Sequence, residues 1–303
     1  MKLVTHYQQE KFTENAHIAN WRENDLGESL YYSYRATHYS RATFPSRLHY
    51  HDYFELVIFE EGDIHYICES ATYLPQMGDI LLIPPGMFHM SMIRCEKTLY
   101  KRHVFYLYSD ALNDFNCGVL TDFLKQSREG LAVISPDKQT KDELLTLLFK
   151  LDKALEHGQN PSYRALSTGL VIQIFFLLNQ CNFGPGDRTA PFPENLSAIK
   201  RYIDDNFREL SSSNDIATHF FYSREYVSRL FRKYFNTTVS EYIRARRIAY
   251  SQNLIEHGCT ISEACYQSGF ENMSTFIRSF RSIVGMPPSE YRKRRSEKPY
   301  FTK

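Results

Sequence analysis

A chain of 303 residues with 43% hydrophobic and 23% charged side chains has the composition of a soluble globular protein, is long enough for two domains, and argues against disorder. The formal net charge of +1 conceals an asymmetry: residues 194–303 carry 18 Lys+Arg against 12 Asp+Glu, and the rest carry 18 against 23. Only the C-terminal third is therefore expected to attract polyanions. The six cysteines (Cys68, Cys95, Cys117, Cys181, Cys259, Cys265) form no C-x-x-C pair, and the N-terminus lacks a basic-then-apolar leader, so a reduced, cytoplasmic protein is expected. The longest apolar stretch, Leu170–Leu178, contains Gln173 and falls short of the roughly 20 residues a bilayer span needs, so no membrane span is expected.

From about residue 30 to 110, short runs such as Phe54–Phe59, Asp63–Cys68 and Asp79–Ile83 alternate with Gly62, Gly78 and Pro84-Pro85-Gly86, the pattern of an antiparallel β domain. Apolar residues then recur at helical spacing: Leu144, Leu147, Leu148, Leu151 and Leu155, followed by Leu166, Leu170, Ile174 and Leu177. This predicts two antiparallel helices within 138–181, broken at Gly158–Pro161. The glycines and prolines of residues 182–193 predict a linker. Beyond it the chain reads as helical: Leu196–Asn206, a short unit, a long helix near Ser240–His257, a second short unit, and a basic tail at 292–295.

The two short units are one pattern used twice, Ala217–Phe231 and Cys265–Phe280. In the first, Ser223 is a good N-cap, and Val227, Leu230, Phe231 and Tyr234 form an inward stripe. The outward face carries Arg224, Glu225, Ser228, Arg229 and Arg232. In the second, Asn272 caps and is itself a candidate DNA contact, Phe276, Phe280 and Ile283 face inward, and Ser274, Ile277, Arg278 and Arg281 face out. An arginine near the start of a helix in a major groove can bond guanine O6 and N7, a pair that contributes about 1–3 kcal/mol of discrimination. Ile277 offers an apolar contact for a thymine methyl. A linking helix of about 18 residues would be roughly 27 Å long, which would let the two reading helices enter successive major grooves about 34 Å apart. Arg244, Arg246 and Arg247 lie on or near that helix as candidate phosphate contacts, Arg247 equally as a structural partner.

Residues 196–295 resemble the DNA-binding domain of the AraC family of transcriptional regulators. The resemblance rests on Asp215-Ile216-Ala217, Arg229-Leu230-Phe231-Arg232-Lys233, Glu241-Tyr242-Ile243, Arg247-Ile248, Ile261-Ser262-Glu263, Gly269-Phe270, Phe276–Phe280 and Gly285-Met286-Pro287-Pro288. It implies that one or both outward helices read promoter DNA. Phe221 stands where the family usually has glycine, which predicts a distorted first turn, Asn236 replaces a second glycine, and Cys265 replaces an alanine.

The other concentrated signal is His49-x-His51-x3-Glu55, with His89 following Pro84-Pro85-Gly86. On a strand, His49 and His51 would share a face. With Glu55 and His89 inside a barrel they would form a set suited to a divalent metal, or, with Tyr53, to a small effector. The spacing resembles the two motifs of the cupin superfamily and the sensor domain commonly attached to AraC-type regulators. No Ser/His/Asp set, phosphate-cradling glycine loop or C-x-x-C zinc site is present in the sequence, so no enzyme is expected.

The expected fold is α+β in two domains. A cupin-like antiparallel β-barrel with a helical pair spans 1–181, and an all-α domain with two helix-turn-helix units spans 194–303. The expected function is an effector-responsive transcription regulator. Its expected partners are double-stranded promoter DNA, a small molecule such as a sugar or metabolite, a second copy of the chain, and RNA polymerase if it activates. Two alternatives stay open: a metal-dependent cupin enzyme fused to a DNA-binding domain, and a ligand-independent regulator controlled by a partner protein.

Overall fold

The computed structural model describes residues 17–26, 29–40, 44, 48–69, 71–108, 110–127, 131–158, 160–184, 189–210 and 212–297. Residues 185–188 of the expected linker, and the side chains of 294–295 in the basic tail, lie outside what is described. The chain divides into two compact units at Ala190/Pro191, with the short piece Arg47–His49 grouped with the second.

The N-terminal unit is built from two antiparallel sheets. One has six strands in the order β1 (His17–Asp25), β2 (Leu30–Ser40), β8 (Lys97–Leu107), β3 (Phe54–Glu61), β6 (Ile80–Ile83) and β9 (Ala132–Ile134). The other runs β10 (Thr189–Pro191), β5 (Ala71–Tyr73), β4 (Ile64–Cys68) and β7 (His89–Ile93). The expected barrel is therefore not closed. Two of the four strands at the sheet ends, β9 and β10, have only three residues each and cannot carry a continuous ladder across the seams. β10 also places a strand inside the stretch read as linker.

Period-two alternation sorts the six-stranded sheet into two buried faces. Val57, Phe59, Tyr100 and Val104 join Tyr66, Tyr73, Leu81 and Ile83 in one cluster with the second sheet. Leu56, Ile58, Phe105 and Leu107 point the other way, onto α1 (Lys138–Leu155) and α2 (Pro161–Asn179). Asp137 caps α1 and Asn160 caps α2, with Pro161 in the first turn where a missing N–H costs nothing. Helix α2 is long and apolar enough by length and composition to cross a bilayer, while Leu170, Val171, Ile174, Phe175 and Leu178 are buried in the unit's own core.

One polar link crosses this core. Tyr32 on β2 is fully buried and donates to Asp152 Oδ1 on α1 at 2.6 Å. His103 bridges Tyr32 Oη, at 2.6 Å, and Glu60 with its two ring nitrogens. Burial first, then Asp152, push the Tyr32 phenol well above its ordinary pKa, so it stays a donor.

The C-terminal unit is all helical: α3 (Glu194–Asn206), α4 (Ser213–His219), α5 (Arg224–Phe235), α6 (Val239–Glu256), α7 (Ile261–Gln267), α8 (Met273–Val284) and α9 (Pro288–Glu297). Capping boxes open α4 (Ser212/Asp215), α6 (Thr238/Glu241) and α7 (Thr260/Glu263). Arg247 on α6 donates to the carbonyls of Phe207, Arg208 and Leu210, satisfying chain-end acceptors after α3, so its role is structural.

Replacing Tyr32 by Phe removes the donor that satisfies a buried carboxylate. It should cost about 1–3 kcal/mol, read as a lower urea midpoint for the N-terminal unit. A midpoint equal to that of the parent chain would show that the link contributes nothing.

Candidate functional site

The helices that the sequence assigns to base reading keep their outward sets exposed. On α5, Val227, Phe231 and Phe235 are buried, while Arg224, Glu225, Arg229 and Arg232 are exposed and Ser228 is half-buried. Leu230 and Tyr234, expected inward, are half-buried, and Phe235 takes the last inward position. On α8, Phe276, Ser279 and Phe280 are buried, and Ser274, Ile277, Arg278 and Arg281 are exposed. A shallow open groove of about 570 Å³ runs along that face, lined by Ser274, Ile277, Arg278, Arg281 and Ser282. Asn272 is exposed and accepts from Thr275 N at 2.8 Å, so its side-chain oxygen caps α8.

Arg246, expected on phosphate, is instead ion-paired with Asp204 at 3.1 Å. Asp204 also receives Tyr242 Oη at 2.7 Å and Lys200 Nζ at 2.6 Å. Asp204 gathers three donors, and Arg246 is held against it while its side chain stays 24% exposed. Arg244 stays exposed.

The two turns use the same backbone ladder. Phe221 N donates to Thr218 O and Tyr222 N to Ala217 O, at 3.3 and 2.9 Å; Gly269 N donates to Tyr266 O and Phe270 N to Cys265 O, at 3.0 and 3.2 Å. The first turn is therefore not distorted, contrary to expectation. Phe221 adopts φ 56°, a left-handed conformation that costs a residue with a Cβ about 1–2 kcal/mol. Gly269 sits at φ +88°, and a Cβ there would lie 2.3 Å from Arg208 O. Asn236, at φ 47°, ends α5 in the region Asn tolerates. Cys265 is fully buried in the core under α8, consistent with packing.

The structure brings the predicted set together around Glu55: His49, Glu55 and His89 each place a ligand atom within 4.8 Å of the others, and His51 contacts the same carboxylate. His51 lies in the loop ahead of β3, not on a strand, so the period-two argument does not place it. Its Nε2 is 2.9 Å from Glu55 Oε2, and His89 Nε2 is 3.1 Å from the same oxygen. Their Nδ1 atoms donate to Tyr53 O at 2.7 Å and Met87 O at 2.9 Å. Burial lowers the His51 pKa despite Glu55. Burial by itself would raise the Glu55 carboxyl, but its contacts with His51 and His89 reverse this and hold it well below the usual range. Tyr53 is buried and stacks on His51 at 4.1 Å, fixing the ring. His49 is half-buried.

Two residues escaped the sequence reading. Arg35 and Arg102 are register partners on β2 and β8, on the same parity as Ser33, Val104 and Tyr106. Arg35 is buried and donates to Ser33 Oγ at 2.9 Å; the Arg102 guanidinium lies 4.1 Å over Tyr100. Their signal was available in principle: each is a charge at an interior position of a period-two strand.

A module built from two sheets, followed by a module with two capped helices that carry exposed arginines, has the organisation of a ligand-binding transcription regulator. Residues 30–94 match the AraC-like ligand binding domain, and residues 216–294 match a helix-turn-helix domain. The HTH-type transcriptional activator AarP of Providencia stuartii is 31% identical over 98 residues, which cover 32% of this chain and 73% of that protein. The HTH-type transcriptional activator RhaS of Escherichia fergusonii is 23% identical over 267 residues, 82% of this chain and 87% of that one. The solved structure of ToxT from Vibrio cholerae covers 86% of this chain and 98% of its own, at 16% identity and a TM-score of 0.35. The chain belongs to the AraC family of transcription regulators.

Proposed function

We propose that α5 and α8 read two segments of promoter DNA, that the N-terminal sheets hold a small polar effector, and that the effector shifts which segments a dimer engages together. The observation that carries this reading is the exposure of Arg229 and Arg278 on helices whose opposite faces are buried. The relatives' names support activation and hence contact with RNA polymerase. A soluble cytoplasmic regulator without catalytic activity fits the same picture. Ser33, Arg35 and Arg102 supply interior polar groups for the effector, alongside the histidine cluster.

A second reading concerns the histidines. Both Nδ1 atoms face carbonyl oxygens, which only accept, so in a neutral ring each Nε2 presents a lone pair to the Glu55 carboxylate. A divalent cation would relieve that convergence. The nitrogen–oxygen separation of 3.1 Å between His89 and Glu55 suits neighbouring ligands of a six-coordinate ion, for which about 3 Å follows from bonds of roughly 2.1 Å. Backbone acceptors on the far ring nitrogens are the usual support for metal-bound histidine. Glu55 and His89, with His49, would hold the ion, and His51 would support the Glu55 carboxylate; the ion would supply a Lewis-acidic anchor for an effector oxygen.

The dimer reading rests on the helical pair, which leaves Phe149, Leu166 and Phe176 exposed at 62, 50 and 57%.

Three measurements test these proposals. Arg229→Ala and Arg278→Ala should each weaken binding to duplexes selected from a random library by roughly tenfold or more; undiminished affinity in both would sink the base-reading assignment. Elemental analysis of protein purified without chelator should find about one divalent ion per chain, absent after His49→Ala or His89→Ala. Metal-free protein that takes up no zinc, manganese, iron or nickel on dialysis would remove the metal reading. In light scattering, Leu166→Ser with Phe176→Ser should convert a dimer to a monomer; a parent chain that is already monomeric would contradict the dimer.

A further inference from the structure

Phe221 combines two unfavourable features. Its backbone is left-handed at φ 56°, and its ring is 96% exposed. The left-handed conformation is imposed by the end of α4, because Phe221 N and Tyr222 N close the helix onto Thr218 and Ala217. Glycine would meet that requirement without strain. In the second unit glycine is forced twice over, by φ +88° and by Arg208 O, 2.3 Å from where a Cβ would be. In the first unit the position opens to solvent, so the ring adds nothing to the packing of the fold while hydrating a large apolar surface. Strain of this kind concentrates where a residue meets a ligand.

The position identifies the ligand. Phe221 lies two residues before Ser223, the N-cap of α5. Phe221, Arg224 and Glu225 are all exposed and lie within five residues of one another, so the turn borders the end of α5 that would enter the groove. The major groove offers one strongly apolar group at its base edges, the C5-methyl of thymine. We propose that Phe221 is a specificity-determining residue whose ring packs on a thymine methyl at the edge of the segment read by α5, the counterpart in the first unit of Ile277 in the second. This rests on α5 being a major-groove helix.

The test uses the full chain and duplexes selected from a random-sequence library by the parent protein. Thermal unfolding is followed beside binding, and each thymine in the selected site is replaced in turn by deoxyuridine, which deletes only the methyl. Phe221→Gly should raise the C-terminal melting temperature by about 4 °C, since strain is released. It should also weaken binding by about five- to tenfold. One deoxyuridine replacement should weaken the parent protein by a similar factor and leave Phe221→Gly unaffected. Phe221→Leu, which keeps apolar bulk, should retain part of the response.

A Phe221→Gly protein that binds like the parent overturns the proposal, as does a lower melting temperature, which would make the ring structural. So does the lack of any thymine whose methyl matters only when Phe221 is present. If binding is unchanged but activation from a promoter carrying the selected site falls, the ring faces a protein and the thymine assignment is wrong. Arg229→Ala is measured in parallel: full binding by that variant would defeat α5 as a base reader, independently of Phe221.

Discussion

A helix-turn-helix can place its second helix only if the first one stops abruptly, and one residue in the left-handed region is a common way to make such a stop. Both units obey this constraint with the same pair of backbone hydrogen bonds, at Phe221 and at Gly269. Everything the C-terminal unit presents to DNA follows from it. The stop sets where Ser223 and Asn272 cap α5 and α8, and the caps set which residues of each helix lead. The inward stripes, Val227–Phe231–Phe235 and Phe276–Phe280, then fix the rotation of each helix and leave the arginines outside.

The two units solve the stop differently, so the two turns differ in what they expose. The second turn is packed against the chain at Arg208 and tolerates only glycine. The first is open to solvent and carries a phenylalanine in a conformation glycine prefers. Around them the unit is tied by Arg247, which satisfies three carbonyls after α3, and by Asp204, which gathers Lys200, Tyr242 and Arg246. Cations that looked available for phosphate are in part structural, so the basic character of the C-terminal third overstates its free positive charge.

Legibility in the sequence followed the range of each interaction. Helices, their caps and the outward sets were readable because they depend on neighbours three or four residues apart. Ser223, Asn272, Arg229 and Arg278 all lie where spacing put them. Pairing between distant strands was less readable. The expected barrel is two separate sheets, because closure depends on edge strands whose shortness no local pattern reports. The strand Thr189–Pro191 hid among prolines and glycines for the same reason. The cluster of His51, Glu55 and His89 was visible as a motif, yet His51 reaches Glu55 from a loop. Arg35 and Arg102 meet across β2 and β8, which only the register reveals. Asp204 drawing Arg246 inward is likewise a contact between helices far apart in sequence.

The central claim is that one chain reads DNA with two helices, α5 and α8, in successive major grooves. Methylation interference on a duplex selected by the full chain tests it most directly, because methylating guanine N7 blocks the atom that Arg229 or Arg278 would contact. The account predicts two patches of interference about one helical turn apart. In that experiment Arg229→Ala would erase one patch and Arg278→Ala the other. Only one patch with the parent chain, the same patch lost in both variants, or binding indifferent to guanine methylation would contradict it.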